Sequence, residues 1–409
     1  MDKFKMLVFI LLLITFACDK EGVEPDFDDD DHIFIPDATT PVLKVGNNKE
    51  FTSIAAAAAA ATDSCIVEID AGTYSGDVTL WKQNCVIIRS AGGEVILDAA
   101  GKYWDGKGIW EINGGIFIVE GITFKNCKVP DRNGAGIRLS KGFLTVKNCK
   151  FMYNEMGILT TNDGISTLNV QNCEFAYNFS SSHLGYTHNI YVGEMAKFSV
   201  SGSWFHHASH GHLIKTRAAL SIIRYNLISD GNDEQSQASY EIDFASGGIG
   251  VVVGNIIQQS KNTQNAVFIS YCREGRVPWT ENELYVSHNT IINNRTTTDP
   301  VIEAPESLRK YVGAFNNVMS KNTRFNMNIM DIEAGNIQFE EGDLTTDYAP
   351  TKQSADTWLN KIDRNADSHL SKKLKDMGIS LIPTAEYVHP MKIQSLEKAP
   401  TIPGAYQPR

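Results

Sequence analysis

The chain has 409 residues, 42% of them apolar and 21% charged, the balance of a globular protein with a large core and not of a disordered one. Its net charge is -11, and lysine and arginine form no cluster of the kind that grips phosphate backbones, which argues against nucleic acid as a partner. Any anion is therefore bound locally, by a few placed cations.

The first residues, MDKFKMLVFILLLITFAC, hold Lys3 and Lys5, an apolar run and then Cys18 behind Ala17. This is a secretory signal, too short and too one-sided for a membrane span. Because it ends at cysteine and not at an Ala-x-Ala site, it resembles a bacterial lipoprotein signal, which implies a signal peptide over 1–18 and lipid on Cys18. Residues 19–44 open with DKEGVEPDFDDDDH, acidic and without apolar periodicity, and read as a flexible tether. That segment is similar to the acidic stretch behind the lipidated cysteine of surface lipoproteins of the Bacteroidetes. The similarity implies an outer-membrane lipoprotein at the cell surface, with a periplasm-facing orientation as the alternative.

Six cysteines remain. Cys65 and Cys85 open the apolar runs CIVEID and CVIIRS, which read as neighbouring strands within reach of a disulfide in an oxidising compartment. Cys149 and Cys173 recur at matching places in a repeat and read as packed thiols. The chain has no Cys-x-x-Cys pair, so a zinc site of that type is not expected.

The repeat runs VEGITF (119–124), VKNCKF (146–151), VQNCEF (170–175), VSGSWF (200–205), IRYNLI (223–228), VVGNII (252–257) and VSHNTI (286–291), with AFNNVM (314–319) as a weaker eighth. Each is apolar at its first and sixth positions. The fourth positions are Ile122, Cys149, Cys173, Ser203, Asn226, Asn255, Asn289 and Asn317, spaced 27, 24, 30, 23, 29, 34 and 28 apart. A period in the twenties, built from short β-type segments and Asn/Gly turns, signals a β-solenoid whose turns bury apolar side chains by stacking on their neighbours. The Leu-x-x-Leu-x-Leu frames of leucine-rich repeats are missing. Aligned asparagines can bond amide to amide from rung to rung and so satisfy polar groups inside the stack.

The repeat resembles the right-handed parallel β-helix of the pectate-lyase-like superfamily. FTSIAAAAAAATDSCIVEIDAGTY is similar to the short capping helix, first strand and Gly-Thr-Tyr turn that begin such helices, and PTIPGAYQ to the ending that follows their last rung. The resemblance covers residues 45–409, with the all-β helix over 45–345 and a capping segment over 346–409. It is specific for fold and weak for activity, because the superfamily hosts lyases, hydrolases, epimerases and inert adhesins.

A second strand stack lies between the repeats: GIRLS, GILTT, NIYVG, LIKTR, EIDFA and VFISY, aligned on Ile137, Ile158, Ile190, Ile214, Ile242 and Phe268 as inward residues. Alternation then sends Arg138, Leu159, Tyr191, Lys215, Asp243 and Ile269 outward in one column. Asn189, Leu213 and Glu241 are expected outward on one side of it, with Arg217 one pleat along on the other. Two residues before the inward positions stand His188, His212 and Tyr240. Cations, carboxylates, imidazoles and a phenol thus gather within about three rungs spaced ~4.8 Å apart, a density of titratable groups suited to a cleft. Taken singly, a Lys215–Asp243 pair is an ordinary surface contact worth ~0.2–1 kcal/mol, and either histidine is an ordinary turn residue.

A solenoid face suits a polysaccharide, expected here to be anionic, and a monomer suffices to bind it. If the sugar carries a carboxylate, Lys215 or Arg217 neutralises it, a base (Lys215, His188 or His212) takes the adjacent proton, and Tyr240 or Arg217 assists the leaving oxygen. This is the lyase reaction. The resembling lyases use Lys and Arg on one face, often with calcium opposite, which implies calcium as the one cofactor to consider. Glu241 and Asp243 are the only pair to nominate for it. The same pair, ~6.5–7 Å apart along a strand, also suits inverting glycoside hydrolysis with Glu241 as acid and Asp243 as base. A non-catalytic glycan-binding surface built on Tyr191 and the histidines is a third reading. Asn189, Tyr191, Arg138, His207 and His210 are the expected substrate contacts, the last two from HHASH (206–210), which lacks the acidic partner of a His-Glu-x-x-His site. The acidic loop DGNDEQSQ (230–237) is expected to overhang the face and keep it solvated, and residues 346–409 to close the open end of the solenoid.

Overall fold

The computed structural model describes residues 34–408. The signal peptide, Cys18 and most of the acidic tether lie outside the described residues. Among the described residues no helix is long and apolar enough to cross a membrane.

The chain winds as a parallel β-solenoid of about 10 turns. Three parallel ladders run its length. The first climbs from Val42–Val45 through Thr167–Gln171 and Leu220–Arg224 to Ile332–Ala334, the second from Gly72–Ser75 through Trp204–His206 to Ile337–Phe339, and the third from Thr79–Trp81 through Ile214–Thr216 to Ile302–Glu303. The first and third join into one sheet because Gly108–Glu120 and Ala135–Lys147 each run through both.

Periodicity explains this winding. Between the first and second ladders each coil bends at a residue with positive φ, among them Asn148, Asn172, Gly202, Tyr225, Gly254, His288 and Asn316, and the next residue is the fourth position of the repeat. Its side chain points inward and accepts the backbone N–H of the coil before: Ile122 N–H to Cys149 Sγ, then Cys173 Sγ, Ser203 Oγ, and the Oδ1 atoms of Asn226, Asn255, Asn289, Asn317 and Asn336 in turn. Asn336 is a ninth rung that the repeat frame did not include. Beside this polar ladder the inward residues Phe124, Phe151, Phe175 and Phe205 stack at centroid distances of 5.1, 4.8 and 4.8 Å. Each such ring contributes roughly 1.5–3 kcal/mol by burial.

Ile54–Ala60 closes the N-terminal end, with Ser53 as its N-cap and both Asp77 carboxylate oxygens accepting from the Ile54 and Ala55 N–H groups. Cys65 and Cys85 are not bridged to each other. Cys65 lies inside, in register with Val86 of the next coil.

The C-terminal segment does not plug the open end. It runs back along the flank, where Leu370, Leu374, Met377 and Leu381 cover Leu220, Ile222, Ile249 and Val251 on the outer side of the first ladder. Tyr387 and Ala405 pack on Leu227 and Ile256, and Trp358 and Ile402 on Val318. The reason is legible in strands such as IGVVV, Ile249–Val253, which are buried on both sides and need a cover for the outer one.

Candidate active site

The third ladder sets one outward column by register: Glu111, Arg138, Leu159, Tyr191, Lys215, Asp243, Ser270 and Glu303. Lys215 therefore lies between Tyr191 and Asp243. The next rung departs from the sequence reading, because Ile269 and not Phe268 pairs with Ile242. Phe268, Ile269 and Tyr271 are all inside, and Ser270 takes the outward place assigned to Ile269.

Lys215 Nζ stands 3.5 Å from Asp243 Oδ2 and 2.5 Å from Glu274 Oε1. Arg217 donates through Nε to Tyr191 Oη at 2.8 Å and through Nη1 to Ser246 Oγ at 2.7 Å, and its Nη2 holds the other oxygen of Glu274. Tyr191 also offers its ring to both cations, at 5.5 Å from Lys215 Nζ and 5.7 Å from the Arg217 guanidinium carbon. One carboxylate thus bridges the two cations.

Glu274 arrives from the loop after Ile269–Tyr271, and the column alone gave no sign of it. Its only signal in the sequence is the Arg-Glu-Gly-Arg run at 273–276. Trp279 Nε1 donates to the Arg217 carbonyl at 2.8 Å, Arg276 pairs with Glu194 at 2.9 Å, and Arg273 pairs with Glu303 at 2.6 Å while donating to Tyr240 Oη at 3.1 Å. These contacts tether the loop over the cations. Burial works against the Glu274 charge, yet the hydrogen bonds and charges of Lys215 and Arg217 hold its carboxyl below the usual range.

His188, His212 and Tyr240 form a second stack, with centroids 4.6 and 5.1 Å apart. His188 Nδ1 accepts the His212 backbone N–H at 3.0 Å, and His212 Nε2 lies 3.4 Å from Asp243 Oδ2. Burial first, then the nearby cations, push both imidazoles well below the usual histidine pKa, so both are neutral. Burial raises the Asp243 carboxyl, with Lys215 opposing, and burial also raises the Tyr240 phenol. Folding stability follows from the imidazoles by linkage. Below the unfolded value of 6.5 the unfolded chain takes up protons that the folded chain refuses, so stability falls as pH falls, by up to ~1.4 kcal/mol per pH unit for each histidine. A series of melting curves between neutral pH and mildly acid pH is expected to show this slope, and His188→Gln with His212→Gln is expected to flatten it. An unchanged slope in the double variant would remove these two groups as its cause.

The remaining expected contacts separate. Glu241 is a correction: it is fully buried inside the coil, where Gln259 Nε2 donates to its Oε2 at 3.3 Å, and burial, with Asp230 adding, raises its carboxyl well above the usual range. Asn189 is inside too, accepting from Asn178 Nδ2 at 2.9 Å and donating to the His206 carbonyl at 2.8 Å, and Leu213 joins the core. Strand alternation fails for these residues because the chain is already turning the corner between ladders. Glu241 and Asp243 consequently sit on opposite sides of the wall. They fit neither a calcium site nor an acid–base pair for hydrolysis, and among the described residues no group of three or more acidic, histidine or cysteine side chains could hold a metal ion. Arg138 lies half-buried beside Leu159, three rungs from Lys215, where burial lowers its pKa. His207 stacks on Tyr177 at 4.5 Å, meets Asp233 at 3.0 Å and lines a different cleft, while His210 bonds Ser209 and stacks on Phe179 at 6.1 Å. The acidic loop thus meets His207 through Asp233.

No protein-family model matches the chain, and no curated protein matches it either. Among solved structures it is similar to the pectate lyase Pel9A, with a TM-score of 0.54 and 15% identity, over 91% of this chain and 98% of that one. The fold is a right-handed parallel β-helix, as in that lyase. A slighter superposition, with a TM-score of 0.33 and 11% identity, is found with the pectin methylesterase PemA from Erwinia chrysanthemi, over 82% of this chain and 99% of that one.

Proposed function

We propose that the protein is a polysaccharide lyase that cleaves a uronic-acid-containing glycan by β-elimination at the face of Lys215 and Arg217. The observation that carries the reading is the bridging carboxylate: the two oxygens of Glu274 occupy both cations as a sugar carboxylate would. Glu274 holds this place from a loop with a side chain 38% exposed, so substrate can displace it.

Arg217, fixed by Tyr191 and Ser246, grips the substrate carboxylate and draws electron density from the carbon beside it. Lys215 Nζ, oriented by Asp243, is the base that takes the proton from that carbon. The electron pair of the broken C–H bond forms the carbon–carbon double bond, the bond from the β-carbon to the glycosidic oxygen breaks, and that oxygen takes a proton from Tyr240. His188 and His212 are given the role of a wall that positions Asp243, with His188 Nδ1 accepting the His212 backbone N–H and His212 Nε2 facing the Asp243 carboxylate. The shared fold with a pectate lyase makes pectate the first substrate to try. Placement at the cell surface through lipid on Cys18 is proposed on the sequence alone.

The test is ultraviolet absorbance of the unsaturated uronate product from purified protein on a panel of uronic-acid polysaccharides, with and without added calcium. A rise on one member is the expected result and names the sugar. New reducing ends without absorbance would overturn the lyase reading in favour of a hydrolase, and neither signal would leave a glycan-binding surface.

A further inference from the structure

On the flank away from Lys215, the outer side of the second ladder and the C-terminal segment enclose a cleft of about 1160 Å³. This exceeds the ~300–1,000 Å³ common for small-ligand sites and has room for several sugar rings. Its floor is Leu227, Ser229, Ile256 and Gln258, all buried. One wall is Trp204 with His206 stacked on it at 3.9 Å and His389 edge-on at 4.7 Å, and the other carries Tyr348 and Tyr406. The cleft is built and not a gap in packing, because its floor and walls are bonded to one another: Gln258 Oε1 accepts from Ser229 Oγ at 2.6 Å and from Tyr348 Oη at 2.9 Å. With that oxygen engaged, the Gln258 amide NH2 has no hydrogen-bond partner among the described residues, although the residue is only 7% exposed.

Charge separates this cleft from the face described above. Lys352 is the only lysine or arginine among the described residues that line it, and it stands exposed at the rim with Asp347 and Asp356. Among the described residues that line the cleft there is no cation pair for a polyanion. Aromatic rings, a buried amide donor and rim carboxylates that accept from hydroxyls fit an uncharged, polyhydroxylated ring with one apolar face. We propose that the cleft is a second glycan-binding site, for neutral sugar residues, formed only because the C-terminal segment lies along the flank.

The experiment is affinity electrophoresis of the full chain through gels containing galactan, arabinan, xylan, xyloglucan or mannan, with polygalacturonate as the anionic comparison. Retardation by at least one neutral polysaccharide is expected, equal in the wild type and in Lys215→Met. Trp204→Ala, which removes the platform, and Ala349→Trp, which fills the cleft from its wall, are each expected to weaken it at least tenfold. Melting curves run in parallel, and Ala349→Trp removes no packing contact, so a folded variant remains available. The proposal is overturned if no neutral polysaccharide retards the protein, if both cleft variants bind as the wild type does, or if Lys215→Met loses the binding. Because the readout is binding to neutral glycans, it stands or falls separately from the lyase assay.

Discussion

Lys215→Met is expected to reduce β-elimination by roughly 10²–10⁴-fold, the span of a lost general base, while the coils stay folded. Methionine keeps the apolar stem against Tyr191 and removes only the amine. The obvious objection is that Asp243, buried beside it, loses its ion pair and keeps only His212 and the Ser270 hydrogen bond close by, and breaking a buried ion pair costs ~3–5 kcal/mol when the remaining charge persists. Burial already raises the Asp243 carboxyl, so in the variant it takes up a proton and much of that penalty is avoided. Glu274→Ala separates the catalytic reading from a merely structural ion cluster. The Glu274 side chain is more than a third exposed, so its hold on the cations is a screened contact of about 1 kcal/mol, and deleting it should lower KM several-fold with kcat little changed. A Glu274→Ala protein as dead as Lys215→Met would mean that the carboxylate is needed for the chemistry and does not merely stand in the substrate's place. Full activity in Lys215→Met would end the assignment of this residue as base.

The parts of the molecule governed by a fixed period were open to the sequence. Fourth positions from Ile122 to Asn317 form one continuous polar ladder, because a residue with positive φ before each of them turns the chain the same way every time. The column from Arg138 to Asp243 was equally open, since two-residue alternation holds within a strand. It fails where strands end. Asn189, Leu213 and Glu241 stand one residue before their strands begin, at a corner where neighbouring side chains both turn inward, and parity carried past that point put a buried glutamate on the surface. The run VFISY is apolar in both phases, so alternation could not choose between Phe268 and Ile269, and only the pairing with Ile242 decides it. Glu274 had no period to reveal it. It comes back to Lys215 from 59 residues along the chain, by a loop whose course is set by contacts at Trp279, Arg276 and Arg273. The C-terminal segment was misplaced for a related reason: its apolar residues announce that it covers something, and the choice between an open end and a flank lies in which strands are apolar on both sides.

Asn255→Ala is expected to destabilise the fold by ~3–5 kcal/mol, the second large effect, although the residue lies inside the solenoid and touches no substrate. Asn255 is fully buried. Its Oδ1 accepts the Asn226 backbone N–H at 3.0 Å and the Asn226 amide at 2.9 Å, and its own amide donates to the Ile223 carbonyl at 2.8 Å and to Asn289 Oδ1 at 3.0 Å. Alanine takes the acceptor from a buried N–H and the donor from a buried carbonyl, each worth ~1–3 kcal/mol when left unmade, and opens a void that the stiff coils cannot close. Serine should do less harm, because the ladder already contains that solution: Ser203 Oγ accepts the Cys173 N–H at 3.1 Å and donates to its neighbour's carbonyl, that of Ser201, at 3.0 Å. Urea unfolding of Asn255→Ala, Asn255→Ser and the wild type should therefore rank in that order of increasing stability. An alanine variant within ~1 kcal/mol of the wild type would mean that the amides are not what holds the coils in register, and that stacking of Phe124, Phe151, Phe175 and Phe205 with the aliphatic core suffices.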